Sequence, residues 1–185
     1  MNKDNETKAA FSETGIDGTL IDDGVEIPQS ENADMLSSKG YGVAKESELI
    51  LDFYEVLYLL EKGVLKVKNE EGEEANFQTI LRLNESVDED AWVKYLIFRD
   101  LRSRGYVVRG GFGWGVDFRV YERGKYGEET ARYLILSMLE GKPIPLEDLI
   151  RVLRQSQTLK KELVLAVMNR RGEIVYYSIS ELTLR

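Results

Sequence analysis

The sequence predicts an α+β protein of two small mixed domains, and three observations lead to that reading. Apolar alternation of period two and apolar spacing of period three to four both recur along the chain, separated by glycine-bearing turns. A length of 185 residues is enough for one large or two small cores. The charge balance also changes sign part-way: residues 1–85 carry 19 acids and 8 bases, residues 86–185 carry 14 acids and 17 bases. The partition is a polar tail over residues 1–17, an N-terminal α+β domain over 18–85 and a C-terminal α+β domain over 86–185.

GTLIDDGVEIP (18–28) has two β-like runs around Asp22-Asp23-Gly24, which reads as a hairpin. KESELILDFYEVLYLLEKG (45–63) places Leu49, Leu51, Phe53, Val56, Leu57, Leu59 and Leu60 at helical spacing, with Gly63 as the C-terminal cap. VLKVKNEEGEEANF reads as strand, acidic turn and partner strand. Ser86 with Glu89 three residues on forms a capping box, with Asp88 and Asp90 in the positive first turn. The helix WVKYLIFRDLRSRG follows, with Trp92, Tyr95, Leu96 and Leu101 on one stripe and Gly105 as its stop.

YVVRGGFGWGVDFRVY (106–121) is strand, glycine-rich turn and strand, and Tyr133–Met138 is a further strand. Pro145 opens a helix that runs toward Gln157. LVLAVMN, RRG and EIVYYSI close the chain as strand, turn and strand.

Composition removes several function classes. With no cysteine and no histidine, disulfides, thiolate zinc sites, cysteine nucleophiles and an imidazole base are excluded. The acidic runs at 69–74 and 88–90 lack metal-ligand spacing, so no metal and no small-molecule cofactor is expected. GGFGWG (110–115) does not match a phosphate loop, because a strand rather than a helix follows it. Asn84-Glu85-Ser86 is formally a glycosylation sequon, without meaning in a chain that is not secreted. No apolar run reaches the roughly 18 residues that span a bilayer, and MNKDNETKAAF is not a signal peptide. No membrane association and a cytoplasmic location are expected.

The net charge of −8 argues against nucleic acid until its distribution is considered. RDLRSRG (99–105), Arg151 with Arg154 on one helical face, Lys160-Lys161 and Arg170-Arg171 all fall in the C-terminal half. They mix with Tyr106, Phe112, Trp114, Tyr121 and Tyr126, the blend of cations and aromatics that RNA recognition uses. Two readings of the charge remain: a half that faces phosphates, or an acidic tail that solubilises. Basic helix residues that simply face solvent are the alternative for the cations.

The C-terminal half carries a resemblance. YLIFRDLRSRGYVVRGGFGWGVDFRVYERG, then RQSQTLKKELVLAV and GEIVYY, resembles the archaeal tRNA-splicing endonuclease over roughly residues 92–178. KGYGV and ELILDFYEVLYLLEKGVLKV look like the N-terminal domain of that family.

The resemblance implies a restriction-endonuclease-like mixed sheet flanked by helices. It also implies metal-independent cleavage of precursor tRNA at bulge–helix–bulge motifs, leaving 2′,3′-cyclic phosphate and 5′-hydroxyl ends. The family uses tyrosine as base, histidine as acid and lysine to stabilise the transition-state charge. Tyr121 at the end of DFRVY matches the tyrosine, and Lys161 in LKKELVLAV matches the lysine. The family's His-x-x-Tyr-Leu is Thr130-Ala131-Arg132-Tyr133-Leu134 here, so Thr130 stands in the place of the acid. Arg154, seven residues before Lys161, matches one of the arginines that stack on a bulge base.

Taken alone, Tyr121 is also consistent with a half-buried strand-end tyrosine, Lys161 with an exposed lysine near a helix end and Arg154 with a solvent-facing arginine. The turn Asn169-Arg170-Arg171-Gly172-Glu173 is largely basic where the family often carries an acidic docking loop. EIVYYSISELTL suits a terminal strand that pairs with another subunit or an internal edge strand.

The expectation is a non-catalytic structural subunit of an α2β2 heterotetramer, with precursor tRNA and a catalytic sister subunit as partners. The alternatives are a self-sufficient oligomer that uses Tyr121, Lys161 and a surrogate acid (water held by Thr130, or Glu129), and an RNA-binding scaffold with no part in cleavage.

Overall fold

Residues 15–113 and 115–182 are described by the computed structural model of the chain. The chain divides into two compact units, Met1–Ala91 and Trp92–Arg185.

The first unit is built on a six-stranded sheet in the order β3-β4-β2-β1-β5-β6. Strand β1 (Ile16–Ile21) and β2 (Gly24–Pro28) form the hairpin around Asp22-Asp23 that the sequence announces. β1 runs parallel to β5 (Leu65–Lys68), starting at the Ile16↔Leu65 pair. Here the expected tail is corrected at its C-terminal end. Ile16 is 5% exposed because it enters the core beside β5, so order begins before residue 18. Residues 1–14 of that tail lie outside the described residues.

Helix α1 (Glu31–Ser38) is capped by Ser30, whose hydroxyl accepts from the Ala33 amide. The long helix expected over 45–63 is instead the end of one strand, a second strand and a shorter helix. β3 (Val43–Lys45) pairs with β4 (Glu48–Leu51), which pairs with β2, and only then does α2 (Phe53–Glu61) begin. Leu49 and Leu51 are buried and alternate with half-buried Glu48 and Ile50, so these positions follow period two. Asp52 decides the boundary. Its carboxylate accepts from the Tyr54 and Glu55 amides while Glu55 reaches back to the Asp52 amide, a full capping box. The helix stops where expected, with Gly63 at φ +67.

β6 (Glu74–Ala75) pairs with β5 and leads into α3 (Phe77–Val87), a helix the sequence reading passed over. Asn76 caps it by accepting from the Thr79 amide at 3.1 Å. Ser86 therefore sits inside α3 and donates to the Leu83 carbonyl, so it caps nothing. Asp88 closes the turn between the two helices: its carboxylate accepts from the Asp90 amide at 3.0 Å and its carbonyl from the Ala91 amide, just before α4 (Ala91–Ser103).

The second unit carries a mixed five-stranded sheet in the order β11-β10-β9-β8-β7. Its strands are β7 (Val107–Gly113), β8 (Val116–Tyr121), β9 (Tyr133–Leu139), β10 (Glu162–Met168) and β11 (Ile174–Ile179). Only β9 and β10 are parallel, because α5 (Leu146–Thr158) connects them as a crossover. Pro145 precedes α5 as the sequence predicts.

The helices cover opposite faces. Val152 of α5 packs with Val116, Leu134 and Leu163, while Phe98 of α4 meets Phe118 at 5.9 Å between ring centroids. Phe118 is paired with Ile135, so Leu134 next to it must point to the other face. Each of these fully buried side chains contributes about 1.5–3 kcal/mol. The stripe expected for α4 is shifted, since Tyr95 and Leu101 are buried with Val93, Ile97 and Phe98 while Trp92 stays 40% exposed. Trp92 instead leans on the Tyr95 ring at 5.7 Å.

The glycine-rich segment is a hairpin with a shifted register between Gly110 and Gly113; Trp114, in its turn, lies outside the described residues. A Cβ on Gly111 would lie 1.9 Å from the Val116 carbonyl oxygen. Gly111→Ala is therefore expected to lower stability by about 1–3 kcal/mol. The denaturant midpoint should fall while the slope stays unchanged. At the start of β8, Asp117 pairs with Lys94 of α4 at 3.0 Å and accepts from the Ser137 amide at 2.6 Å. That pair ties α4 to the strand that ends in Tyr121.

Candidate functional site

Backbone pairing continues one residue before the start of β9. The Arg132 amide donates to Val120 at 2.9 Å and the Glu162 amide donates to Arg132 at 3.0 Å. With Val120 opposite Tyr133 and Tyr133 opposite Glu162, the next level outward holds Tyr121, Arg132 and Lys161. Tyr121 and Lys161 flank β9 on either side, so their backbones are about 10 Å apart, two strand spacings.

Each residue is held by its own local device. Tyr121 ends β8 and packs edge-on against Tyr126, with centroids 4.9 Å apart. Tyr126 comes from the turn after β8, which is closed by the Lys125 amide donating to Glu122 and the Glu129 amide donating to Lys125. Lys161 is set by the end of α5. Lys160 adopts φ +54, its amide donates to Gln157, and the Lys161 amide donates to Ser156 at 2.8 Å. This is the pattern of a left-handed helix stop, with lysine where glycine is usual. The two lysines also follow the negative end of the helix, which favours cations.

Thr130 and Lys161 are in contact. The Lys161 ammonium donates to the Thr130 hydroxyl at 2.5 Å. Arg154 is on the exposed face of α5 and takes no part in that contact; its carbonyl accepts from the Thr158 hydroxyl. Tyr121 belongs to the same level of the sheet as Lys161 through the register. Among the described residues no group of three or more acidic side chains could hold a metal ion. No helix among them is long and apolar enough to cross a membrane.

Arg132 was passed over in sequence, although it stands between Tyr121 and Lys161. Its Nε and Nη2 donate to Glu162 at 3.0 and 2.9 Å, and its Nη1 pairs with Glu122. Glu122 follows Tyr121 and Glu162 follows Lys161, so one guanidinium fastens both neighbours of the candidate residues. Pairing with these two carboxylates raises the affinity of Arg132 for its proton. Only strand register brings the three charges together, and no local motif marks them. Glu129, weighed as a surrogate acid, is ion-paired with Lys125 at 2.9 Å.

The family described as tRNA intron endonuclease, catalytic C-terminal domain, matches residues 91–176. Its companion, the tRNA intron endonuclease N-terminal domain, matches residues 16–81. A tRNA-splicing endonuclease of Methanococcus maripaludis is 32% identical over 169 residues, which is 91% of this chain and 96% of that protein. The chain belongs to the tRNA-splicing endonuclease family. The tRNA-splicing endonuclease of Pyrococcus furiosus is 37% identical over 142 residues, 77% of this chain and 81% of its own. That of Methanothermobacter thermautotrophicus is 34% identical over 166 residues, 89% and 96% respectively. The α+β fold in two domains follows the two parts of the family, and Tyr121, Thr130, Arg154 and Lys161 all fall inside the catalytic-domain match.

Proposed function

We propose that this chain is the structural subunit of a heteromeric tRNA-intron endonuclease that positions precursor tRNA while a sister chain performs the cut. The observation that carries this reading is the Lys161–Thr130 hydrogen bond. A lysine that can neutralise a phosphate faces a hydroxyl, in the place where the chemistry needs a proton donor. In the reaction of the family a 2′-hydroxyl attacks the phosphorus and loses its proton to a base. The P–O5′ bond then breaks, and the leaving oxygen must gain a proton. By the pattern of the family, Tyr121 matches the base of the first transfer and Lys161 the cation that meets the charge building on the phosphate. The second transfer has no imidazole. General acid–base work contributes about 10²–10⁴ in rate, so its loss leaves binding and positioning.

Heteromer formation follows, because a complex that splices needs a complete set of groups in another chain. Strand β11 supports an assembly role, being a sheet edge with Val175 and Tyr177 exposed. The turn before it is tied to itself: the Asn169 side chain accepts from the Arg171 and Glu173 amides and donates to the Glu173 carboxylate at 2.7 Å. Arg170 and Arg171 are left at its exposed tip. Native mass spectrometry of the chain purified from its own cells should show two copies of it with two of a second endonuclease chain. A homo-oligomer alone would sink the α2β2 reading.

The same hydrogen bond also favours a second reading. Thr130 Oγ1 could pass its proton to the leaving oxygen and be re-protonated by Lys161, a relay that needs no histidine. Detectable cleavage by the chain alone, abolished in Thr130→Val and kept in Thr130→Ser, would identify it.

A further inference from the structure

We propose that a tyrosine pocket in the C-terminal unit, with an arginine over each of its rings, takes one unstacked nucleobase of the bound RNA. The proposal rests on the RNA-positioning reading above but not on cleavage by this chain. The pocket is a cleft of about 210 Å³ whose lining includes Tyr106, Tyr133, Tyr176 and Arg104 around apolar Val120, Ile135 and Val164. That is below the roughly 300–1,000 Å³ typical of drug-sized ligand sites, so it suits one ring system rather than a larger molecule.

The three rings share one feature. Arg123 lies over Tyr106 at 4.9 Å, Arg132 over Tyr133 at 5.3 Å and Arg104 over Tyr176 at 5.9 Å. Two of these cations are also fixed by carboxylates: Arg104 by Asp100, which in turn accepts from the Tyr176 hydroxyl at 2.7 Å, and Arg132 by Glu122 and Glu162. Ordered aromatic faces with cations beside them are what a base attached to a phosphate chain requires. An apolar side chain of a protein partner would use the floor and leave the arginines without purpose.

Placement points the same way. Val120 pairs with Tyr133 and Ile135 with Val164, so the pocket lies on the α4 face, one residue inward from the level of Tyr121 and Lys161. Tyr106 precedes β7, Tyr121 ends β8, Tyr133 opens β9 and Lys161 precedes β10, so all four stand at one end of the sheet. An unpaired strand crossing that end can present a phosphate to Lys161 and a neighbouring base to the pocket.

The test uses the full chain and a bulge–helix–bulge RNA with 2-aminopurine at each bulge position in turn, read by fluorescence together with anisotropy. At one position the wild type is expected to quench the probe on binding. Tyr133→Ala and Val164→Met, which fills the cleft without adding a ring, are expected to lose the quenching and to weaken binding roughly 5- to 150-fold. Tyr133→Phe keeps the ring and should retain both. If Val164→Met does not fold, as judged by its thermal transition, half-buried Tyr106→Ala at the pocket replaces it. RNA binding with no quenching at any position overturns the pocket and leaves the RNA-positioning reading standing. Quenching that survives in the variants overturns it equally. Absence of RNA binding overturns both. Protein self-association lost in Val164→Met while quenching persists would assign the pocket to a protein partner and overturn the base.

Discussion

In the Thr130→His variant, the full chain is expected to cleave a bulge–helix–bulge RNA roughly 10²–10⁴-fold faster than the parent, without added metal. Thr130 is exposed and in contact with Lys161, so an imidazole has room there and its proton would stand beside the Lys161 ammonium. Its rate should acquire a pH dependence near the ordinary imidazole range that Thr130 cannot give the parent. Thr130→Ser should give no such gain, since it changes shape but adds no titrating donor. A variant no faster than the parent would mean that something other than the missing acid limits this centre.

Lys94→Met is expected to be the most damaging single change to stability. The side chains of Lys94 and Asp117 are only 20% and 13% exposed, so the pair lies where losing one partner strands the other. Breaking a buried pair costs about 3–5 kcal/mol, and partial solvent access argues for the lower end. For a unit of this size that corresponds to a fall in Tm of roughly 10–20 °C.

The pH dependence gives the mechanism away. Burial raises the Asp117 carboxyl above its ordinary value, against the pull of Lys94 and the Ser137 amide. The folded state therefore holds this proton to higher pH than the unfolded state, whose carboxyl titrates near about 3.9. Asp117 contributes least penalty below that value, and stability falls as pH rises through the raised folded value. Without Lys94 the carboxyl is raised further, so acidification should restore part of the lost stability in Lys94→Met more than in the parent. Chemical denaturation at several pH values checks this. Equal losses at all pH values would point to lost packing instead of a stranded charge.

The parts of the fold that were legible in sequence are those where one signal is uncontested. The hairpin at 18–28, α5 after Pro145 and the closing strands at 162–179 all have clean periods bounded by turn residues. The failures arose where two periods overlap. Leu49, Leu51 and Phe53 satisfy alternation as well as helical spacing, and Asp52 carries the information that separates them. Ser86 and Glu89 look like a capping box, but the preceding helix, capped by Asn76, runs past Ser86 and removes it from the reckoning. Its buried residues Ile80, Leu81 and Asn84 have helical spacing, but a buried asparagine weakens the apolar signal.

The candidate site was legible only as separate residues. Resemblance picked out Tyr121, Thr130 and Lys161, and nothing local to any of them says that they share one end of a sheet. That follows from the Val120↔Tyr133 and Tyr133↔Glu162 register, which is non-local by nature. Arg132 and its two carboxylates were illegible for the same reason. A charge between strands has no meaning until the strands are paired.

The most direct test of the structural-subunit account is incubation of a labelled bulge–helix–bulge RNA with the full parent chain alone, in chelator, with binding and cleavage read from the same sample. The account predicts a salt-sensitive complex in which the RNA stays intact. A clean cut with 2′,3′-cyclic phosphate and 5′-hydroxyl ends, at the rate of a complete endonuclease, would contradict it.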